Sequence, residues 1–246
     1  MLWLRSVLFN TLFYGTTAVF ALICAPLLAA PRDSVLWLAR AWAWLELWLL
    51  RCTAGLDTRF EGTPPQGPAI LAVKHQSAWE TILMGLLARD FAVVVKRELL
   101  WIPLYGWFLA RTGAIPVDRG AGASALRDLL RRGRAASRQN RVIVIFPEGT
   151  RTTPGDTRPY HPGIAALYAA LDLPVIPVAL NSGWFWPRRS FLRRPGRITI
   201  RYLPAIPPGL TRRDFQHRLA SELEAGVAAL APVHAPHGSA PGKAYT

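Results

Sequence analysis

A histidine, a serine and a glutamate lie within six residues in the stretch KHQSAWETI, residues 74–82. His75 and Glu80 are five positions apart, and in one α-helix that spacing separates two side chains by about 140°, so they would not meet. They can meet if His75 ends a strand or loop and Glu80 lies in the first turn of the next helix. Residues 77–80, Ser-Ala-Trp-Glu, have the capping-box pattern that places Ser77 at the N-cap and Glu80 at N3.

Two interpretations of this stretch stay open from its own residues. In the first, Ser77 and Glu80 only cap a helix, and His75 is a satisfied histidine of the core. In the second, the Glu80 carboxylate holds one imidazole nitrogen of His75 and leaves the other as a general base near neutral pH. A capping role for Ser77 is compatible with both.

A second group of reactive side chains follows an apolar run in FPEGTRTTPG, residues 146–155. Glu148 supplies a carboxylate, Gly149 a flexible backbone, and Arg151 a guanidinium that can bind a phosphate bidentately. An ordinary strand-end turn with surface charges is the alternative. The motif has no G-x-S-x-G elbow and no P-loop lysine, so serine hydrolases and nucleoside triphosphatases are not favoured.

Two further positions come from short apolar runs. Arg119 follows the run in GAIPVDRG and opens a basic helix, which is typical of a phosphate site at a helix N-terminus. Pro177 stands in the middle of LPVIPVAL, residues 173–180, and a proline there predicts an edge strand or a bulge. We expect Pro177 to shape a wall of the site.

The elements that must position these residues alternate between strands and helices from residue 58 onward, which predicts an α/β fold. Several strand candidates are apolar on both faces, as in a sheet covered by helices. The predicted strands are residues 68–74, 91–96, 113–117, 141–146, 173–180 and 197–203. The predicted helices are residues 79–89, 99–110, 122–139, 162–171 and 211–230.

The first fifty residues are different in kind. Residues 7–30 carry no charge, and as a helix of about 36 Å they could cross a hydrocarbon core of roughly 30 Å. Residues 35–50 are rich in Trp and Leu but include Arg40 and Glu46, which is typical of a helix in or returning from the membrane interface. A cleaved signal peptide, a single span and a shallow two-helix hairpin remain as interpretations.

These patterns divide the chain into three parts. We expect residues 1–55 to form a membrane anchor of two helices, residues 56–230 a catalytic domain, and residues 231–246 a disordered Pro, Gly and Ala-rich tail. The net charge of +14 favours anionic partners, and a basic body held near anionic lipid is expected on the cytoplasmic face of a bacterial inner membrane.

Composition also limits other classes. Cys24 and Cys52 have no metal-type spacing, and the sequence predicts no metal site. The basic helix of residues 122–139 has no recognised nucleic-acid module around it, so no nucleic-acid partner is expected. A solvated or lipid-facing surface is favoured for that helix.

Four blocks taken in order resemble the glycerolipid acyltransferase family, which includes the bacterial 1-acylglycerol-3-phosphate acyltransferases. The resemblance covers residues 58–205 and the N-terminal anchor. His75 to Glu80 matches the first block, Arg119 ends the second, and Pro177 is central in the fourth. The third block matches letter for letter at Phe146, Pro147, Glu148, Gly149, Thr150 and Arg151.

The sequence departs from the family pattern at two places. Glutamate replaces the usual aspartate at position 80, which changes the reach of the side chain and leaves its charge. An aromatic-Lys-x-Gly stretch common in the family reads Tyr-His-Pro-Gly at residues 160–163, so a fixed positive charge becomes the titratable His161.

The resemblance implies a mixed central sheet flanked by helices and an acyl transfer to lysophosphatidic acid from acyl-CoA or acyl carrier protein. His75, oriented by Glu80, would be the base; Arg119, Glu148 and Arg151 would form the acceptor site, with Gly149 allowing close approach. The resemblance implies no cofactor. The thioester is a co-substrate, and membrane lipids are expected partners. Two alternatives remain: acylation of another lysolipid such as a lyso-ornithine lipid, or a non-catalytic, membrane-anchored binder of anionic lipid.

Overall fold

A mixed β-sheet lies at the centre of the computed structural model, which describes residues 1–232. Within these residues the sheet has seven strands, in the spatial order β1-β7-β6-β2-β5-β3-β4. Their bounds are β1 (Leu56–Glu61), β2 (Ile70–Val73), β3 (Phe91–Lys96), β4 (Ile115–Val117), β5 (Val142–Ile145), β6 (Val175–Leu180) and β7 (Gly196–Tyr202). Neighbouring strands are parallel except for β6 and β7, which confirms the predicted mixed α/β class.

Helices cover both faces of the sheet and bury its apolar runs. Their bounds are α1 (Leu2–Ile23), α2 (Arg32–Ala54), α3 (Trp79–Ile82), α4 (Met84–Leu87), α5 (Tyr105–Arg111), α6 (Gly122–Arg138), α7 (Pro162–Leu171), α8 (Ser182–Phe185) and α9 (Arg212–Ala228). Successive residues of β2 alternate between the two cores, as a period of two requires. Leu71 packs in the core under α2, α3 and α4, whereas Ile70 packs in the core under α6, α7 and α9.

Two predicted helices are interrupted. The segment predicted as one helix at 79–89 forms two single turns, α3 and α4, that meet at Leu83. The segment predicted at 99–110 begins as a 3₁₀ turn, Arg97–Trp101, and becomes helical again only at Tyr105. Pro103 explains this second break, because the residue before a proline is kept out of the helical region, and Ile102 is extended.

The position of Pro177 in its run had predicted an edge strand or a bulge. The strand β6 is interior, between β7 and β2, so the edge strand is wrong, and the register of β6 with β2 is regular from Val175 to Val178. The proline is tolerated because regular pairing of β6 with β7 begins at the next residue, Val178. The Pro177 carbonyl still accepts a hydrogen bond from the Leu203 N–H at 2.9 Å.

The first two helices form a hairpin that leads back to the rest of the described chain, residues 55–232, called the body below. Thr16 of α1 donates a hydrogen bond to Glu46 of α2 at 2.8 Å, and the Trp42 indole donates to Thr17 at 3.2 Å. Among residues 1–232, α1 is the one helix long and apolar enough to cross a membrane. Within the structure, α1 and α2 therefore pack against each other as a helical hairpin.

The hairpin also packs against the body. Asn10 accepts a hydrogen bond from the Arg193 guanidinium at 2.8 Å, and the Ser6 hydroxyl accepts one from the Arg193 N–H at 2.9 Å. Arg193 in turn stacks on the Trp186 ring, with the guanidinium carbon 3.9 Å from the ring centroid. Gly55 ends α2 in a left-handed conformation, and β1 begins at the next residue, Leu56. Most of the tail expected at 231–246 lies outside the described residues.

Candidate active site

The residues singled out in the sequence follow strands that are parallel neighbours in the sheet. His75 follows β2, Arg119 follows β4, and residues 146–151 follow β5. Because β2, β5, β3 and β4 run parallel in that spatial order, their carboxyl ends open at one edge of the sheet, where ligands bind in such folds. A cleft of about 520 Å³ lies at this edge, and its lining includes His75, Arg119, Gly149 and Arg151.

The histidine and the glutamate meet across the strand-to-helix junction. The Nδ1 atom of His75 lies 2.8 Å from Oε2 of Glu80. The Glu80 side chain is 0% exposed, whereas the His75 side chain is 14% exposed and lines the cleft. The carboxylate occupies Nδ1, so Nε2 is the ring nitrogen left for a substrate hydroxyl. The Phe146 ring stacks on the imidazole with centroids 4.1 Å apart and restricts its rotation.

Glu80 caps the backbone and orients the imidazole with the same carboxylate. The Ser77 N–H donates to both oxygens of Glu80, at 3.0 and 2.8 Å, and the Ser182 hydroxyl donates to Oε1. Ser77 Oγ accepts from the Trp79 N–H at 3.0 Å, whereas the capping box predicted the Glu80 N–H as its donor. The N-cap of α3 is Ala78, one residue later than predicted. Glu80 therefore combines capping of the backbone with a contact to the imidazole of His75 in one geometry.

Glu148 lies behind the cleft and not in its lining. Its side chain is 0% exposed, and its oxygens accept hydrogen bonds from the His75 N–H at 2.9 Å and the Thr152 hydroxyl at 2.9 Å. The Lys74 ammonium lies 2.6 Å from the same carboxylate. Burial raises the pKa of Glu148, and the Lys74 charge opposes that rise. With these partners, the carboxylate organises the His75 backbone and does not face an acceptor.

Gly149 and His161 form a tight contact in the cleft wall. Gly149 has φ +64°, and a Cβ atom at that position would lie 2.6 Å from Nε2 of His161. A side chain is thus disfavoured there both by the left-handed backbone and by the imidazole. His161, the departure noted from the family's lysine, lines the cleft beside Arg151.

Cationic side chains line the same cleft at its rim. Arg119 opens the 3₁₀ turn Arg119–Ala121, and Asp118 caps that turn by accepting the Gly120 N–H at 3.0 Å. Arg151 is half-buried and close to Tyr105. Burial raises the pKa of Tyr105, while the Arg151 charge acts in the opposite direction.

Several residues of the site had no place in the sequence-based prediction. Lys96 lines the cleft at the end of β3, and its position at the carboxyl end of a predicted strand was the signal that could have identified it. Ser182 contacts Glu80, and Lys74, although it adjoins His75 in the chain, contacts the distant Glu148, so a local pattern reveals neither contact. Thr150 and Pro147 lie in the loop after β5 and are not part of the cleft lining given by the described residues.

Apolar side chains make up the rest of the cleft, including Val93, Leu99 and Leu126. A smaller apolar cavity of about 150 Å³ lies between the hairpin and the body. Thr81, Met84, Tyr105 and Leu109 line both spaces, so the two adjoin.

A histidine–carboxylate pair in a cleft that is cationic at its rim and apolar in its depth suits transfer of a fatty acyl group to a phosphorylated alcohol. The chain belongs to the acyltransferase family, whose sequence model matches residues 57–181. The chain is an acyltransferase, and the family assignment made from the four blocks is confirmed.

Individual relatives carry more specific names. A 1-acyl-sn-glycerol-3-phosphate acyltransferase of Pseudomonas aeruginosa is 34% identical over 211 residues, covering 82% of this chain and 80% of that protein. The human 1-acyl-sn-glycerol-3-phosphate acyltransferase beta is 30% identical over 164 residues, covering 63% of this chain and 59% of that protein. The crystal structure of the 1-acyl-sn-glycerophosphate (LPA) acyltransferase of Thermotoga maritima superposes with a TM-score of 0.78 at 19% identity, covering 93% of this chain and 97% of that one. That likeness shows a shared fold.

Proposed function

We propose that the chain transfers a fatty acyl group from an acyl-CoA or acyl carrier protein thioester to the sn-2 hydroxyl of lysophosphatidic acid, giving phosphatidic acid. The observation that carries this proposal is the cleft that joins the His75–Glu80 pair to Arg119 and Arg151. Relatives named for this reaction, at up to 82% coverage of the chain, support the same acceptor.

His75 acts as the general base in this mechanism. An alcohol is a weak nucleophile near neutral pH, so Nε2 of His75 takes the proton of the acceptor hydroxyl as its oxygen attacks the thioester carbonyl. Glu80 holds Nδ1–H and stabilises the imidazolium that forms. An ester C–O bond forms, the thioester C–S bond breaks, and the imidazolium returns the proton to the leaving thiolate. The donor is already activated, so we propose that no cofactor takes part.

The acceptor phosphate lies against the cationic rim in this proposal. Arg119 and Arg151 present guanidinium groups that bind phosphate oxygens bidentately, and Lys96 adds a third charge in the same lining. The absence of a side chain at Gly149 makes room for the His161 ring, which lines the same cleft. The acyl chain of the donor lies along the apolar part of the cleft, toward the cavity beneath the hairpin.

We further propose that the hairpin holds the enzyme at the cytoplasmic face of a bacterial inner membrane. Large apolar and aromatic side chains are exposed along both helices, among them Trp3, Leu8, Trp37, Trp44 and Trp48. Indole rings favour the headgroup level, and a body that contributes to a net charge of +14 is attracted to anionic lipid. Acceptor and product both reside in the bilayer, so such placement brings the cleft to its substrate.

One experiment tests the acceptor and the donor together. Purified protein in phospholipid nanodiscs is given labelled acyl-CoA or acyl carrier protein with lysophosphatidic acid or a lyso-ornithine lipid, and the products are identified by mass spectrometry. We expect phosphatidic acid from the wild type and none from a folded His75→Ala variant. Acylation of the lyso-ornithine lipid alone would overturn the proposed acceptor.

The membrane placement has its own test. Protease treatment of inside-out and right-side-out membrane vesicles should cleave the body only in the inside-out preparation. Cleavage in right-side-out vesicles would contradict the cytoplasmic placement. Recovery of the protein in the soluble fraction after cell lysis would contradict the anchor.

A further inference from the structure

Lys74 is a buried cation that the acyl-transfer step does not use. Its side chain is 1% exposed, directly before His75 in the chain. The ammonium nitrogen lies 2.6 Å from Oε1 of Glu148 and 2.7 Å from Oε1 of Glu224. A charge this deeply buried is stable only with partners of opposite charge, and here two carboxylates supply them.

The Glu148 end of this network reaches the backbone of the catalytic histidine. Oε2 of Glu148 accepts the His75 N–H at 2.9 Å, and the Thr152 N–H donates to the His75 carbonyl at 2.8 Å. Both main-chain polar groups of His75 are therefore bound by the loop after β5. The ring is fixed by Glu80, and the backbone that carries the ring is fixed by Glu148.

The Glu224 end reaches the last helix, α9. Glu224 holds Lys74 through both oxygens, at 2.7 and 2.9 Å, and accepts a hydrogen bond from the Tyr160 hydroxyl at 2.9 Å. Burial, followed by the neighbouring Glu224 charge, raises the pKa of Tyr160, so its phenol stays a donor. Glu224 is 26% exposed, so the network runs from the protein surface to the active site.

The ammonium group keeps Glu148 available to His75. Burial favours the neutral form of Glu148, and the Lys74 charge is the largest influence that opposes it. Without that charge, the carboxylate would take up a proton or turn toward water, and its hydrogen bond to the His75 N–H would weaken. A displacement of about 1 Å at a catalytic group can lower a rate by about 100-fold.

We propose that Lys74 and Glu224 are positioning residues for His75, acting through Glu148 and not through contact with substrate. This inference rests on the proposed role of His75 as the general base. It gives α9 a role in positioning His75, although none of the described residues that line the cleft belongs to α9.

The test compares the same substitution at two positions of α9. Glu224→Met removes the carboxylate that holds Lys74, whereas Glu222→Met, the control, removes a carboxylate that is ion-paired with Arg218 of the same helix. We expect kcat to fall about tenfold in Glu224→Met with both KM values within about twofold of the wild type. Glu224→Gln, which keeps an acceptor oxygen, should recover most of the loss. Glu222→Met should stay near the wild type.

A second readout requires no substrate. Hydrogen–deuterium exchange of the peptide containing His75 should be faster in Glu224→Met than in the wild type, because the His75 amide loses protection. Exchange of the same peptide should be unchanged in Glu222→Met. Wild-type protein that makes no phosphatidic acid would overturn the proposed function, and the exchange measurement would still decide the role of Glu224. Unchanged exchange in folded Glu224→Met would overturn the positioning inference.

Lys74→Met tests the centre of the network directly. We expect a loss in kcat of about 100-fold with little change in KM, and a smaller loss in Lys74→Arg. A folded Lys74→Met variant with kcat within about twofold of the wild type would refute the inference. The variant leaves the buried Glu148 carboxylate close to the partly exposed Glu224 carboxylate, and if it does not fold, Glu224→Met decides the question.

Discussion

Replacing Glu80 by glutamine removes one charge from the catalytic pair and preserves the size of the side chain. The carboxylate accepts from the Ser77 N–H, from the Ser182 hydroxyl and from Nδ1–H of His75. A glutamine has one acceptor oxygen and one donor group. If the amide oxygen takes the place of Oε1, the amide N–H₂ takes the place of Oε2 and faces His75, so Nδ1 must then accept. The proton moves to Nε2, and the ring can no longer act as a base.

The expected loss follows from the bonds that change. The Ser77 N–H donates to both carboxylate oxygens, so it opposes the amide N–H₂ in either orientation, and that cost of about 1–3 kcal/mol lowers the stability of the variant without separating the two orientations. The charge-assisted bond that stabilises the imidazolium in the transition state contributes about 1.5–3 kcal/mol. Its loss alone corresponds to a decrease in kcat of about 10- to 100-fold.

The assay is a steady-state titration of both substrates with Glu80→Gln and the wild type. Glu80 is fully buried, so KM for the donor and the acceptor should change little. Glu61→Gln serves as the control and should keep normal activity. It removes a carboxylate of the edge strand β1 that is ion-paired with Arg201 of β7. A folded Glu80→Gln variant with kcat within about threefold of the wild type would refute the proposed orientation of His75.

Four other substitutions test separate parts of the site and fold. Arg119→Ala and Arg151→Ala should each raise the acceptor KM about tenfold, as steady-state kinetics with varied lysophosphatidic acid will measure, whereas an unchanged KM would remove that arginine from the phosphate site. Gly149→Ala should lower the thermal midpoint, because the left-handed backbone alone costs about 1–2 kcal/mol and the methyl group meets His161; an unaltered midpoint in differential scanning fluorimetry would contradict this. Burial acts to raise the pKa of Asp90, but two arginine partners outweigh it and hold that pKa below 3.8. The unfolded state then binds more protons, so this stabilisation is present above pH 3.8 and is lost as pH falls through the folded pKa; Asp90→Asn should therefore lose less stability than the wild type between pH 6 and pH 3 in urea denaturation, and an equal loss would contradict the assignment.

Local patterns were sufficient to predict that the side chains of His75 and Glu80 meet. The five-residue spacing and the Ser77 pattern required a strand-to-helix junction at His75, and the structure has that junction between β2 and α3. The letters of residues 146–151 likewise identified the loop after β5. Such features are encoded within a few consecutive residues, so capping rules and strand periodicity are enough to find them.

Other features depend on residues that are distant in sequence. Lys74 and Glu224 are separated by 150 positions, and neither has a local motif that indicates the other. The edge strand β1 was missed because its sequence, LDTRFE, has only two large apolar residues and lacks the β-branched run that marked the other strands. Pro177 was predicted to lie on an edge strand or at a bulge because it has no N–H to donate, whereas it lies in an interior strand whose regular pairing with β7 begins one residue later.

The docking of α1 limits how this enzyme can be dissected or recombined. Thr17 and Phe20 of α1 form part of the wall of the apolar cavity, and Asn10 accepts from the buried guanidinium of Arg193. A fragment trimmed of α1 to make it soluble would open that cavity to water and strip a buried cation of an acceptor. A chimaera that borrows the anchor of a relative would likewise need to carry residues 186–194 with it, since the two surfaces form one interface.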